Sequence, residues 1–184
     1  LAVREYALKI LENGKNILIL SVGALSDMNF RKILLDVARA QGKKIHIPSG
    51  AIMGLDNLKV GCISRIDSVL LRTTKSPESL GMQVSHRTLA FRGKANECIK
   101  QFPKNINVSV ALSLAVHHDV DVELWADPDV DRNIHDIFVS GEFGEASIRV
   151  VNHPSPDNPA TSYLAALSVL SLLKNLDSPL VIGS

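Results

Sequence analysis

Hydrophobic positions in the first quarter of the chain follow a helix–strand–helix–strand order. Apolar residues at helical spacing predict one helix over residues 3–11 and a second that ends at Gly42. Two short apolar runs, residues 16–22 and 44–48, predict buried parallel strands. Because parallel strands joined by a helix need a right-handed crossover, the loops after both strands should open on the same edge of the sheet. Ligands of open α/β sheets bind at that edge.

Beyond residue 61 the hydrophobic pattern predicts a different, mixed arrangement of shorter elements. Strands are predicted at 66–74 and 88–93, and helices at 95–102 and 107–115. Three further segments alternate well enough to be antiparallel strands: 120–126, 133–140 and 145–151. The last two are expected to form a hairpin around residues 141–144. A final helix is predicted over residues 159–173, with a broad buried stripe of leucines.

These patterns together predict an α/β protein in two parts. Residues 1–48 are interpreted as a remnant of a Rossmann-type parallel sheet, the C-terminal part of a dinucleotide-binding domain. Residues 49–157 are expected to form an α/β substrate and dimerisation domain with a mixed or mainly antiparallel sheet. Residues 158–184 should pack back on the first part. No glycine-rich phosphate loop is present and the chain begins at Leu1, so we expect an N-terminal part to be missing.

Composition narrows the function to a small-molecule site. The 184 residues carry a formal net charge of +1, which argues against nucleic acid and anionic membranes as partners. No apolar run reaches the length of a membrane span. Cys62 and Cys98 lack metal-ligand spacing and are expected to be reduced thiols in a cytoplasmic protein. His117 and His118 are adjacent on a helix and do not share a face, so we expect no metal site.

Four segments could carry chemistry, and one of them, the turn-rich connection over residues 152–159, is more readily explained as a structural linker. Residues 49–52 are expected to open a helix whose backbone N–H groups attract an anion or a carboxamide, although a plain strand-to-helix turn explains them equally well. Residues 103–107 place a cation and two amides before a helix, where they could bind a ligand or only cap the helix. His135 could titrate near neutrality as a general base, or it could be a core histidine with its hydrogen bonds satisfied.

Seven short motifs together resemble the L-aspartate dehydrogenase family in order and spacing. They span essentially the whole chain and comprise residues 23–27, 46–52, 54–56, 102–108, 126–128, 133–135 and 154–159. The resemblance implies an NAD- or NADP-dependent oxidation of L-aspartate to iminoaspartate, which yields oxaloacetate and ammonia or supplies NAD synthesis. It also implies a homodimer. The alternatives are a non-catalytic binding or regulatory member of this fold, and a related reductase for another small amino or keto acid.

The resemblance also assigns roles to individual residues. It places the catalytic histidine at His135, which would deprotonate the substrate ammonium or activate the water that attacks the imine. It places cofactor contacts at Ala51 and Asn107, and we expect Gly50 and Ser21 beside them. Substrate carboxylates are assigned to Lys104 and Asn105. Since the glycine-rich loop is absent, this chain alone is expected to hold the cofactor poorly.

Overall fold

The N-terminal part is a small parallel strand–helix–strand unit. The computed structural model describes residues 2–102, 107–158 and 161–182. Helix α1 (Ala2–Glu12) precedes strand β1 (Ile17–Leu18), and helix α2 (Met28–Ala40) leads to strand β2 (Ile45–His46). The two strands are parallel, with Ile17 opposite Ile45. Asp27 caps α2, since its Oδ1 accepts hydrogen bonds from the N–H groups of Asn29 and Phe30. The predicted unit is confirmed, with shorter strands than the apolar runs indicated.

The C-terminal part is built on a five-stranded mixed sheet. Its strands are β3 (Ile66–Lys75), β4 (Thr88–Lys94), β5 (Asp121–Ala126), β6 (Ile134–Gly141) and β7 (Gly144–Val151), in the spatial order β4-β5-β3-β6-β7. The predicted hairpin of β6 and β7 is confirmed. The predicted mixed, mainly antiparallel sheet is also confirmed, because β5 runs parallel to β3 while the other strand pairs are antiparallel.

Helices cover one face of this sheet, which we call the inner face. Helix α3 (Ala95–Gln101), helix α4 (Asn107–Val116) and a 3-10 helix (Asn57–Cys62) contribute side chains to the core beneath it. Leu112 of α4 packs into this core, whereas Val110 and Ala111 pack against the N-terminal unit. Because α4 is buried on two sides, it is apolar nearly all round, and it joins the two parts of the chain.

The last helix differs from its prediction. Helix α5 runs over Tyr163–Asp177, later than the predicted residues 159–173. Leu167 and Leu170 were expected to be buried, yet they are 41% and 56% exposed, and within α5 the buried residue is Ser168. The broad apolar stripe therefore faces outward in this chain. Among the described residues, no helix is both long and apolar enough to cross a membrane.

The loop between β2 and the 3-10 helix lies on the inner face beside β7. The expectation that Ser49 opens a helix was wrong, because Gly50 and Gly54 adopt φ values of 66° and 75°, which interrupt a right-handed helix. A Cβ on Gly54 would lie only 2.7 Å from Cδ1 of Ile148, so the loop backbone approaches the strand closely. Ile52, between these glycines, is fully buried in the core of the sheet. The loop is thus fastened to the five-stranded sheet.

Candidate functional site

His135 lies near the beginning of β6, on the inner face of the sheet. The register places it opposite Thr73 of β3 on one side and Val150 of β7 on the other. Its Nδ1 atom is 3.0 Å from Oγ1 of Thr73, and both side chains are buried. This hydrogen bond fixes the ring plane. When Nδ1–H donates to Thr73, Nε2 carries a lone pair and can accept a proton.

The surroundings of His135 keep its imidazole neutral. Burial, and secondly the positive charge of Lys75, lower its pKa to about 3. The expectation that His135 titrates near neutrality was therefore wrong for this structure, since a position on the inner face removes the hydration that stabilises the imidazolium ion. A neutral ring at physiological pH is nevertheless the form that a general base requires.

Asn152 connects the strand of His135 to the loop that carries Ala51. The backbone N–H of Asn152 donates to the carbonyl of Asn133, two residues before His135. Its side-chain Nδ2 donates to the carbonyl of Ala51 at 3.0 Å. Its Oδ1 accepts a hydrogen bond from Ser162, just before α5. Asn152 is 4% exposed, so this network is buried, and it holds Ala51 at the end of the sheet where His135 lies.

The other candidate cofactor residues lie where the two parallel strands end. Ser21 is exposed after β1, and the N–H of Gly23 in the same loop donates to Oδ1 of Asn107 at 3.0 Å. Because that oxygen is engaged, Asn107 offers its Nδ2 group to a ligand as a hydrogen-bond donor. In the neighbouring loop, the N–H of Gly50 donates to Oγ of Ser168. The structure thus brings Ser21 and Asn107 to one edge, with the loop of Gly50 and Ala51 following the adjacent strand.

Two predicted substrate residues, Lys104 and Asn105, lie outside the described residues. They directly precede α4, whose first residue is Asn107. An open groove of about 1130 Å³ lies between the loop after β2, α4 and α5, and residues such as Ile47, Ala111 and Leu167 line it. His135, Ala51 and Asn107 are not among the residues that line this groove.

Three residues that surround this site were not predicted from the sequence: Thr73, Lys75 and Asn152. The alternation along β3 could have indicated Thr73 and Lys75, because it places these two polar side chains on the otherwise apolar inner face, near the end of the strand. Asn152 had been assigned to a turn-rich linker, and its buried contacts depend on residues far away in the chain. Within the described residues no group of three or more His, Cys, Asp or Glu side chains could hold a metal ion.

Comparisons with known proteins agree with the geometry. A family described as "Aspartate dehydrogenase, C-terminal" matches residues 56–176, and one described as "Homoserine dehydrogenase, NAD binding domain" matches residues 1–48. The chain is 95% identical over its whole length to L-aspartate dehydrogenase of Methanospirillum hungatei JF-1, of which it covers 73%. It is 48% identical to the L-aspartate dehydrogenase of Methanothermobacter thermautotrophicus, covering all of this chain and 71% of that protein.

A solved structure shows the same arrangement. The crystal structure of aspartate dehydrogenase from Thermotoga maritima superposes with a TM-score of 0.85 at 35% sequence identity. The match covers 99% of this chain and 74% of that one. The similarity therefore includes both the parallel unit and the five-stranded sheet.

The lowered pKa of His135 predicts a pH-dependent stability. In the unfolded chain a histidine binds a proton near pH 6.5, whereas His135 in the folded protein does so at about pH 3. Between these values the unfolded state binds more protons, so the free energy of unfolding falls as the pH falls. From pH 6 to pH 5 the decrease should be about 1 kcal/mol larger in the wild type than in His135→Gln, as measured by urea denaturation. Equal decreases in the two proteins would contradict the buried, neutral histidine.

Proposed function

The chain belongs to the aspartate dehydrogenase family and is an oxidoreductase that oxidises L-aspartate with NAD or NADP, and from this premise we propose that His135 performs the proton transfer. The observation that supports the proposal is the buried hydrogen bond between His135 and Thr73, which fixes the orientation of a neutral imidazole on the inner face. The non-catalytic member and the reductase for another acid are not favoured, because the relatives at 95% and 48% identity are L-aspartate dehydrogenases.

The chemistry defines what His135 has to do. Bound NAD or NADP supplies the redox step, since it accepts a hydride from the α-carbon of L-aspartate. That carbon can release a hydride only when the amino group is neutral, so the ammonium must first lose a proton. In our proposal Nε2 of His135 accepts this proton, while Thr73 holds Nδ1. In the alternative role, Nε2 instead accepts a proton from the water that converts iminoaspartate to oxaloacetate and ammonia.

The residues at the edge of the two-stranded sheet fit a dinucleotide. Ser21 and the Gly50–Ala51 turn follow parallel strands. Gly50 has a φ of 66°, which favours glycine, and without a side chain its backbone is open to a ligand. We assign cofactor contacts to Ser21, Gly50, Ala51 and the Nδ2 group of Asn107. Substrate carboxylates are assigned to Lys104 and Asn105, which adjoin Asn107 in the sequence.

This assignment gives the chain three parts. Residues 1–48 contribute to dinucleotide binding, residues 49–157 form the substrate and dimerisation domain, and residues 158–184 are the final helix and tail. The matches to residues 1–48 and 56–176 support the first two parts. The free thiols of Cys62 and Cys98 support a cytoplasmic location, which cell fractionation can test.

We also propose a homodimer formed through the outer face of the five-stranded sheet. This face carries Trp125 and the 37% exposed Phe138, together with arginines that are already paired. Arg72 and Arg92 both donate to the carboxylate of Glu123, at 2.7 Å and 2.8 Å. A sheet face with aromatic side chains and internally paired charges is suited to a second copy of itself.

The catalytic role of His135 predicts a large loss of turnover on its removal. In the full-length enzyme, His135→Ala should lower kcat for L-aspartate by roughly 10²–10⁴-fold, because the proton acceptor is lost. The dissociation constant for NADH should stay nearly the same, since His135 is assigned no cofactor contact. The matched control is His86→Ala, which removes an exposed histidine. A fully active His135→Ala enzyme would contradict the proposal.

The dimer proposal predicts different effects for two exposed phenylalanines. Phe138→Glu should convert the dimer to a monomer in light scattering, because a carboxylate would be buried in the interface. Phe143 is 42% exposed in the hairpin turn outside the proposed interface, so Phe143→Glu should leave the mass unchanged. A dimer that survives Phe138→Glu, or a monomeric wild type, would show that the outer face is not the interface.

A further inference from the structure

The inner face of the five-stranded sheet is apolar over most of its area and polar at one end. The apolar part comes from β3, β5 and β6 and contains Val69, Leu71, Val122, Leu124, Ile137 and Val139. At the end where β3 stops, the same face carries Thr73 and His135. Because side chains alternate along a strand, Lys75 lies on the face of Thr73. A half-buried ammonium group therefore shares this polar end with His135.

The positive charge of Lys75 is close enough to His135 to influence its pKa. Thr73 is paired directly with His135, and Lys75 is two residues further along the same strand. Burial is the first cause of the lowered pKa of His135, and the positive charge of Lys75 is the second. Burial also lowers the pKa of Lys75 itself. A cation that is partly removed from water and close to the imidazole has a strong electrostatic preference for an anion.

We propose that Lys75 binds one carboxylate of L-aspartate and so positions the substrate against His135. The inference rests on the proposed role of His135, because that role identifies where the reacting amino group lies. In L-aspartate both carboxylates are within two carbons of the amino group. A carboxylate held by Lys75 therefore brings the ammonium group towards the neighbouring imidazole, on the inner face of β3 and β6. Lys75 thus adds to the selection of an acidic substrate that is assigned to Lys104 and Asn105.

The same contact changes the basicity of His135. Without substrate, the Lys75 cation opposes a second positive charge on the imidazole. A bound carboxylate offsets that cation, so His135 accepts a proton more readily when the substrate is in place. Proton transfer is thereby coupled to the arrival of a dicarboxylate.

The test compares two lysines at opposite ends of the same sheet. Lys75 pairs in register with Ala126, whereas Lys94 pairs with Asp121 at the other end and forms an ion pair with it at 2.9 Å. In the full-length enzyme, Lys75→Met should raise KM for L-aspartate and the inhibition constant of succinate by about 10- to 100-fold, because a charge-assisted hydrogen bond is lost. Lys75→Arg should recover most of the affinity, and Lys94→Met should behave as the wild type.

The affinity for NADH separates this role from a structural one. It should be unchanged in Lys75→Met, since the proposal places the lysine on the substrate and not on the cofactor. Equal succinate inhibition in Lys75→Met and the wild type would overturn the inference, as would equal losses of succinate and NADH affinity. If the wild type oxidises L-aspartate in that experiment, the proposed function stands and only the role of Lys75 fails. A wild type without this activity would reject the function itself.

A second measurement needs no variant and covers the case in which Lys75→Met does not fold. Reductive methylation of the wild-type enzyme labels accessible lysines, and mass spectrometry gives the rate at each site. Succinate at ten times its inhibition constant should slow labelling of Lys75 by about tenfold, because only about one eleventh of the enzyme stays unoccupied. The rate at Lys94 should be unaffected. Equal rates at Lys75 with and without succinate would overturn the inference.

Discussion

The register of β6 between β3 and β7 is the constraint on which the site depends. It places His135 opposite Thr73 and beside Val150, and it directs all three side chains to the covered face of the sheet. A slip of one residue would turn His135 to the outer face. The apolar side chains Ile137 and Val139 further along β6 are fully or nearly buried, so such a slip would also expose the core. The packing that stabilises the sheet therefore also positions the imidazole.

Two parts of the chain meet at this end of the sheet through one buried amide. Asn152 donates to the Ala51 carbonyl, and its backbone is hydrogen-bonded beside the start of β6. The loop after β2 is consequently held by Ile52 in the core and by Asn152 at the sheet. In the proposed function, this arrangement brings a cofactor at the edge of the small parallel sheet close to a substrate on the large mixed one. The proposed hydride transfer requires that proximity.

Much of the fold follows from local patterns, whereas the environment of the site does not. The alternation in β6 and β7 is encoded by neighbouring residues, and the hairpin that these strands form was predicted correctly. The motif around His135 also identified the candidate base. Its low pKa, however, comes first from burial and then from the positive charge of Lys75, which lies on another strand 60 residues earlier in the chain. The exposure of Leu167 and Leu170 likewise depends on what packs against α5, which helical periodicity does not specify.

The central claim is that His135 is a neutral imidazole whose Nδ1–H is held by Thr73, with Nε2 available to accept a proton. Nitrogen-15 NMR of the histidine ring in the full-length enzyme measures both the tautomer and the protonation state directly. The account predicts that His135 stays neutral from pH 8 down to about pH 4, with its hydrogen on Nδ1. A ring that gains a proton near pH 6.5, or one that carries its hydrogen on Nε2, would contradict it.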